Sequence, residues 1–493
     1  MRVRVAAGFL VLLALAVAPI FSTVLPPLVD YPNHLARMHL LAEGGNQYYA
    51  VHWAPLPNLA ADLLIPLLAR VMPLALAGKI FLVAIFALIA GGCVALNRVV
   101  AGRWRLWPLL GFLFLYNRIF LWGFINDLFG LGVALCGLAL WLGLERRATA
   151  LRLVVSSLVA LACFFSHLVA FGIYALAVAG VEAVPAWREL RHDDWRALAA
   201  RVAIAAAQFV IPAAVFAMWW HPAAGKPVSY AAFLRKFDLL FSVFDNYSRA
   251  FDVACFVLMV LALVMLAATR RLGMAPRMAG AAALLLAAYL LMPSQLLSGT
   301  GADHRLPIAL FLVVIAGSSP SLGRREAVVA GCAAALMFAV RMGVIESMWL
   351  RSDRVYAADF AVLDALPHGK RLAVAYPAGE VHAGTIPVLH LPTLAAARRE
   401  AFVPSVFASP AQQPLVLTPP AEALAQITVA PAWWLAFVSR DPVARGLLGP
   451  ALAQYDYVVF LDRQPFDLPA DPCLAPVAAQ PNFRLAAIVR GCR

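Results

Sequence analysis

The residues best suited to chemistry lie in one short stretch: Val29-Asp30-Tyr31-Pro32-Asn33-His34-Leu35-Ala36-Arg37. It follows residues 5–25, which are almost entirely apolar and long enough to cross a bilayer as a helix. An acid, an imidazole and a guanidinium at a membrane exit are costly to place, and such groups usually serve a purpose. Asp30 has two readings. It is either the N-cap of a helix beginning at Tyr31-Pro32, or a carboxylate that accepts a proton from a hydroxyl at the membrane surface. Partial withdrawal from water would raise its proton affinity. His34 and Arg37 stand three residues apart and share one helical face. Arg37 either grips a phosphate with its planar fork or snorkels to headgroups. His34 either packs and hydrogen-bonds or joins the site.

Three further clusters carry polar groups at the ends of apolar spans. Asn126-Asp127 closes a tight turn, where Asp127 is either a cap for the next helix or a site acid. Arg118 falls inside an apolar span, where an unpaired charge marks a pathway or a buried partner. Asp127 is one candidate partner, better suited to a neighbouring helix than to its own. His167 follows Ser166 in another tight turn, as a cap or as a site residue. The fourth cluster is Gly299-Thr300-Gly301-Ala302-Asp303-His304-Arg305-Leu306-Pro307. Its glycines permit an irregular backbone, and Arg305 suits a lipid phosphate at headgroup depth. The alternative is a loop with a charged stop. Lys79 and the group His221, Lys226, Arg235 and Lys236 would also suit anionic headgroups.

Other signatures are missing from the sequence. It contains no phosphate-binding glycine loop, nucleotide fingerprint or Cys/His metal spacing. Ser166-His167 lacks a nucleophile elbow. These observations argue against a nucleotide-driven pump and against acyl-enzyme chemistry.

The elements that position these residues are membrane helices. A hydrophobic fraction of 63% and a mean hydropathy of +0.83 exclude an ordinary soluble protein. The net charge of +13 is carried largely by arginines clustered between apolar runs, with lysine only at 79, 226, 236 and 370. That distribution reports topology and not a nucleic-acid partner. Apolar windows predict a polytopic α-helical protein of about eleven spans: 5–25, 76–96, 106–124, 128–144, 151–166, 168–186, 199–219, 251–268, 278–293, 306–319 and 326–345. Arginine clusters follow every even-numbered span. This places the N-terminus in the cytoplasm and everything after 345 outside, in a bacterial inner membrane. Arg2 and Arg4 before the first apolar run also fit a signal peptide. No clear small-residue cleavage site precedes Pro26, and the run is read as a retained helix.

The first outer loop, 26–75, is expected to hold two interfacial helices. One runs from about Pro32 to Glu43 and stops at Gly44-Gly45; the other covers about 58–72. Residues 346–493 are more polar and proline-rich, and read as a small α/β domain apart from the transmembrane domain 1–345. Its expected strands are 371–376 and 455–461, and its expected helices lie near 353–365 and 393–401. Cys93, Cys136, Cys163, Cys255 and Cys332 fall in spans. Cys473 and Cys492, the only pair in the tail, are expected to form a structural disulfide.

The layout resembles the GT-C glycosyltransferases, including the protein O-mannosyltransferases and the bacterial aminoarabinose transferases of lipid A. The resemblance rests on an acid just past the first span, about eleven spans, short outer turns, a late-loop basic residue and a C-terminal outer domain. Asp30 matches that family's first-loop catalytic acid, and Arg305 its lipid-phosphate ligand. The chain departs from the family in having a single Asp30 and no paired acids, which leaves metal use and donor type open. The resemblance implies an inverting transfer from a polyprenyl-phosphate-linked sugar, with no nucleotide and no required metal. Arg305 would hold the phosphate with Arg37, Arg118 or Lys79. The alternatives are a transporter or flippase for a lipid-linked saccharide and a non-catalytic subunit of an envelope polysaccharide assembly.

Overall fold

The computed structural model describes residues 1–219, 228–230, 232–296, 299–377, 387–410, 412–426 and 430–491. Among them, seven helices are long and apolar enough to cross a bilayer, or eight if one bent pair is counted as a single span. The chain divides into two compact units.

The first unit comprises Met1–Pro19, Pro55–Ala61 and Ile80–Glu346. Its helices include Ile125–Gly143, Thr149–Ser166, Leu168–Arg191 and Arg249–Ala268. The last leaves Leu258, Leu261, Val264 and Met265 more than half exposed, as expected of a face that meets lipid. Helices Leu168–Arg191 and Pro276–Leu291 pack backbone to backbone. A Cβ on Gly180 would lie 2.4 Å from Ala281 Cα, and one on Gly280 would lie 2.3 Å from the Gly180 carbonyl oxygen. Only glycine allows that approach. Nearby, Glu182 gathers charges: it accepts from Trp141 Nε1 (2.8 Å), Arg277 (2.7 Å), Arg201 (2.7 Å) and Arg152 (3.3 Å).

Several predicted spans differ from the structure. Residues 106–124 do not form one helix. A 3-10 turn, Trp107–Phe114, gives way to a five-residue helix, Arg118–Trp122. Pro108 sits at the start of the turn, Asn117 caps the short helix through Phe120 N–H, and Gly123 ends it at φ 90°. The predicted span 199–219 is Trp195–Ala207 plus Val210–Trp219, bent by 50°. The predicted spans 278–293 and 306–319 appear as helices of 16 and 12 residues. At 1.5 Å per residue the second covers about 18 Å, short of a bilayer core. The helix predicted over 326–345 runs on from Arg324 to Asp364.

The second unit comprises Ile20–Ala54, Asp62–Lys79 and Ser347–Arg493. Its sheet runs Leu372–Ala375, Tyr457–Leu461, Phe483–Ile488, Leu474–Gln480, with the first pair parallel and the others antiparallel. The first loop, apart from Pro55–Ala61, belongs to this unit. Tyr49–Val51 pairs with Leu415–Leu417, so main-chain hydrogen bonds tie the loop to the tail. The helix Tyr31–Glu43 ends at Gly44 (φ 81°), and Ala60–Ala69 is the loop's second helix. Cys473 is disulfide-bonded; Cys492, like His221 and Lys226, lies outside the described residues.

Candidate active site

Asp30 is not a side-chain cap. It occupies the N-cap of Tyr31–Glu43 in the αR conformation (φ −88°, ψ −9°), and its carboxylate makes no capping bond. The backbone carbonyl of Asp30 accepts from His34 N–H at 2.9 Å, so the main chain starts the helix and the side chain is left for other contacts. Asp30 Oδ1 lies 3.4 Å from His390 Nε2. Sequence reading missed His390. The available signal was a histidine directly before Leu391-Pro392, the start of a 3-10 turn. Burial pushes the His390 imidazole down to about 4.

Asn33 bridges the group. Its Nδ2 donates to Ser405 O (2.7 Å) and stands 3.3 Å from His390 Nδ1, while its Oδ1 accepts from Phe407 N–H (2.8 Å). The Phe407 ring meets His390 and His34 edge-on, at 5.1 Å and 5.8 Å between centroids. His34, 8% exposed, packs its ring against Phe407. In the same unit, Lys79 Nζ donates to Thr23 O at 2.5 Å.

The expectation that Arg37 grips phosphate gives way. Its guanidinium is fully buried and forms a two-pronged pair with Asp62, at 2.8 and 3.1 Å. It joins the two helices of the first loop and offers no face to a ligand.

The first unit holds the other predicted groups. Asp127, in the first turn of Ile125–Gly143, is buried, and its Oδ1 lies 3.3 Å from His167 Nδ1. His167 caps Leu168–Arg191 by accepting Val169 N–H. Arg305 Nη1 reaches His167 Nε2 at 3.0 Å, and the guanidinium lies 4.6 Å from the Phe124 ring centre. Burial, and then the Arg305 charge, hold His167 below its ordinary value. The structure therefore brings together Asp127, His167 and Arg305, which are distant in sequence.

Two further expectations change. Arg118 pairs with Asp245, not with Asp127; it opens a short helix rather than sitting within a long one. Asp303 is fully buried and paired with Lys236 (2.9 Å), which also donates to Met292 O (2.7 Å). Ser294 Oγ donates to the same Asp303 oxygen. Asp303 therefore holds its loop in place. His304 leans on Trp122, 5.1 Å between ring centres. Among the described residues, no three His, Cys, Asp or Glu side chains gather in a metal-holding group.

The helix order and this placement of an acid after the first span invite comparison with solved structures. ArnT from Cupriavidus metallidurans bound to undecaprenyl phosphate matches 99% of this chain and 98% of its own, with a TM-score of 0.53 at 12% identity. The chain has an ArnT-like fold. ArnT in its apo state matches with the same TM-score at 14% identity, covering 98% of each chain. The likeness is one of fold, and it agrees with the layout resemblance noted from the sequence. No family model matches the sequence, and neither does any curated protein.

Proposed function

We propose that this protein is an inverting glycosyltransferase that acts at the outer face of the membrane it spans. It would move a sugar from a polyprenyl-phosphate donor to a hydroxyl of an envelope, protein or lipid acceptor. The observation that carries the reading is Asp30, a helix N-cap residue whose carboxylate does no capping and faces His390 instead. The ArnT-like fold and the undecaprenyl phosphate held by one of the matching structures support the lipid donor.

In this reading the acceptor oxygen attacks the anomeric carbon as its proton passes to the Asp30 carboxylate. The bond from the anomeric carbon to the phosphate oxygen breaks, and its electron pair leaves with the lipid phosphate. One displacement inverts the anomeric configuration. Lys79, in the same unit as Asp30, is the cation assigned to the departing phosphate, since that charge grows as the bond breaks. Arg118 and Asp303, already paired, keep structural tasks.

The test is release of undecaprenyl phosphate from undecaprenyl-phosphate-linked mannose and undecaprenyl-phosphate-linked aminoarabinose, with membrane extract supplying acceptors. Asp30→Asn keeps size and removes the base; a loss of roughly 10²- to 10⁴-fold is expected. Equal rates in the two proteins would take Asp30 out of the chemistry. Movement of intact donor across vesicles without sugar transfer would favour a flippase.

A further inference from the structure

We infer that His390 is a positioning residue for Asp30, held as the neutral Nε2–H tautomer so that its ring N–H faces the carboxylate. This rests on the reading of Asp30 as the base.

The tautomer follows from the partners of Asn33. A backbone N–H can only donate, so Phe407 N–H at 2.8 Å fixes which end of the Asn33 carboxamide is oxygen. The other end is then the amino group. One of its hydrogens goes to the Ser405 carbonyl, a pure acceptor, at 2.7 Å. The second faces His390 Nδ1 at 3.3 Å, and Nδ1 must offer a lone pair to receive it. A neutral imidazole with a bare Nδ1 carries its proton on Nε2, the nitrogen 3.4 Å from Asp30 Oδ1. Burial keeps the ring neutral near pH 7, which agrees with this assignment. Phe407 closes one side of the imidazole and limits its rotation.

The consequence is chemical. An N–H aimed at a half-buried carboxylate favours its ionised form and fixes its rotamer, both of which a base needs before it accepts a proton. With Nδ1 engaged by Asn33, the ring does not relay that proton onward. His390 thus acts through Asp30. Besides Asp30 and His390, the helix that starts at Asp30 carries the titratable or charged groups His34, Arg37, His39 and Glu43, of which Arg37 is taken up by Asp62.

The experiment uses full-length protein with ¹⁵N-labelled histidine side chains, with His390→Gln assigning the resonance. The expected result is a neutral Nε2–H imidazole at pH 7, and a tautomer mixture in Asn33→Leu. A bare Nε2 or a charged ring overturns the proposal, whether or not a donor turns over. With the same two undecaprenyl-phosphate-linked sugars, His390→Leu is expected to lower kcat about 10- to 100-fold with KM unchanged. His390→Gln, which keeps an N–H at similar reach, should recover most of that loss. In the Asp30→Asn background, His390→Leu should add nothing. Losses that multiply, or a Gln variant no better than Leu, overturn the positioning role. If Asp30→Asn is fully active, the reading of Asp30 as the base fails, while the tautomer result still stands on its own.

Discussion

The Arg37–Asp62 pair gives the sharpest test of what the first-loop arginine does. Both side chains are fully buried and meet through two charge-assisted hydrogen bonds. Arg37 Nη1 has no partner, so the guanidinium is not fully compensated even in the intact protein. Asp62→Leu strands a buried cation, at a cost of about 3–5 kcal/mol. Arg37→Met combined with Asp62→Leu replaces the pair by apolar groups of similar volume, and such replacements are often neutral or stabilising by about 1–4 kcal/mol. For a unit of this size each kcal/mol moves Tm by about 2–4 °C. Asp62→Leu should therefore lower Tm by roughly 6–20 °C, and the double variant should stand at or above the wild type. The assay is thermal unfolding in detergent read by tryptophan fluorescence, since Trp349 and Trp433 are buried in the same unit. Sugar transfer by the double variant should stay near wild type, because Arg37 touches no ligand in this account. A double variant as unstable as Asp62→Leu would refute the argument that the pair is a replaceable strut. A stable double variant that binds no donor would return Arg37 to the phosphate.

The remaining expectations are shorter. Glu182→Gln removes the anion shared by Arg152, Arg201 and Arg277, and should cost about 3–5 kcal/mol in thermal unfolding. An unchanged Tm would mean that solvent or lipid already neutralises those arginines. Gly78→Ala places a Cβ 2.4 Å from Tyr31 Oη and 2.9 Å from Leu35 Cδ2. Because Tyr31 is fully buried, the clash should cost about 1–3 kcal/mol and disturb the helix that carries Asp30. An unshifted Tm would show that the tyrosine can move aside. The unfolded chain protonates His390 near 6.5, whereas burial delays this in the folded state to about 4. Between those values the unfolded state binds the extra proton, so stability falls as pH drops through the window, by roughly 3 kcal/mol in all. His390→Gln should flatten that part of a Tm-against-pH curve, and an unaltered slope would assign it to another group. Transfer is expected to survive EDTA, since the assigned groups are a carboxylate and a side-chain cation; a rate restored only by added divalent ions would contradict that.

Sequence periodicity located most of the membrane helices because lipid demands long apolar runs, and the first-loop helix was readable from its glycine stop. The same reasoning failed at 106–124. Its hydropathy is that of a span, but Pro108, Asn117 and Gly123 break it into short turns, and hydropathy averaging is blind to such punctuation. The candidate site was only half legible for a related reason. Asp30 stood out because an acid after a membrane span is expensive, and expense can be seen one residue at a time. His390 and Asn33 did not, since neither is costly alone. Their meaning comes from a pairing across more than 350 residues, which strand pairing between Tyr49–Val51 and Leu415–Leu417 helps to impose. Arg37 shows the converse error. A guanidinium beside a membrane reads as a phosphate ligand until its buried partner is seen, and Asp62, in the next helix, carried no mark in the sequence to claim it. Isolated charges near a bilayer are therefore best ranked by whether a counter-charge lies within reach in the fold. By that rule Arg37, Arg118 and Asp303, each already held by a counter-charge, are read as struts of the fold.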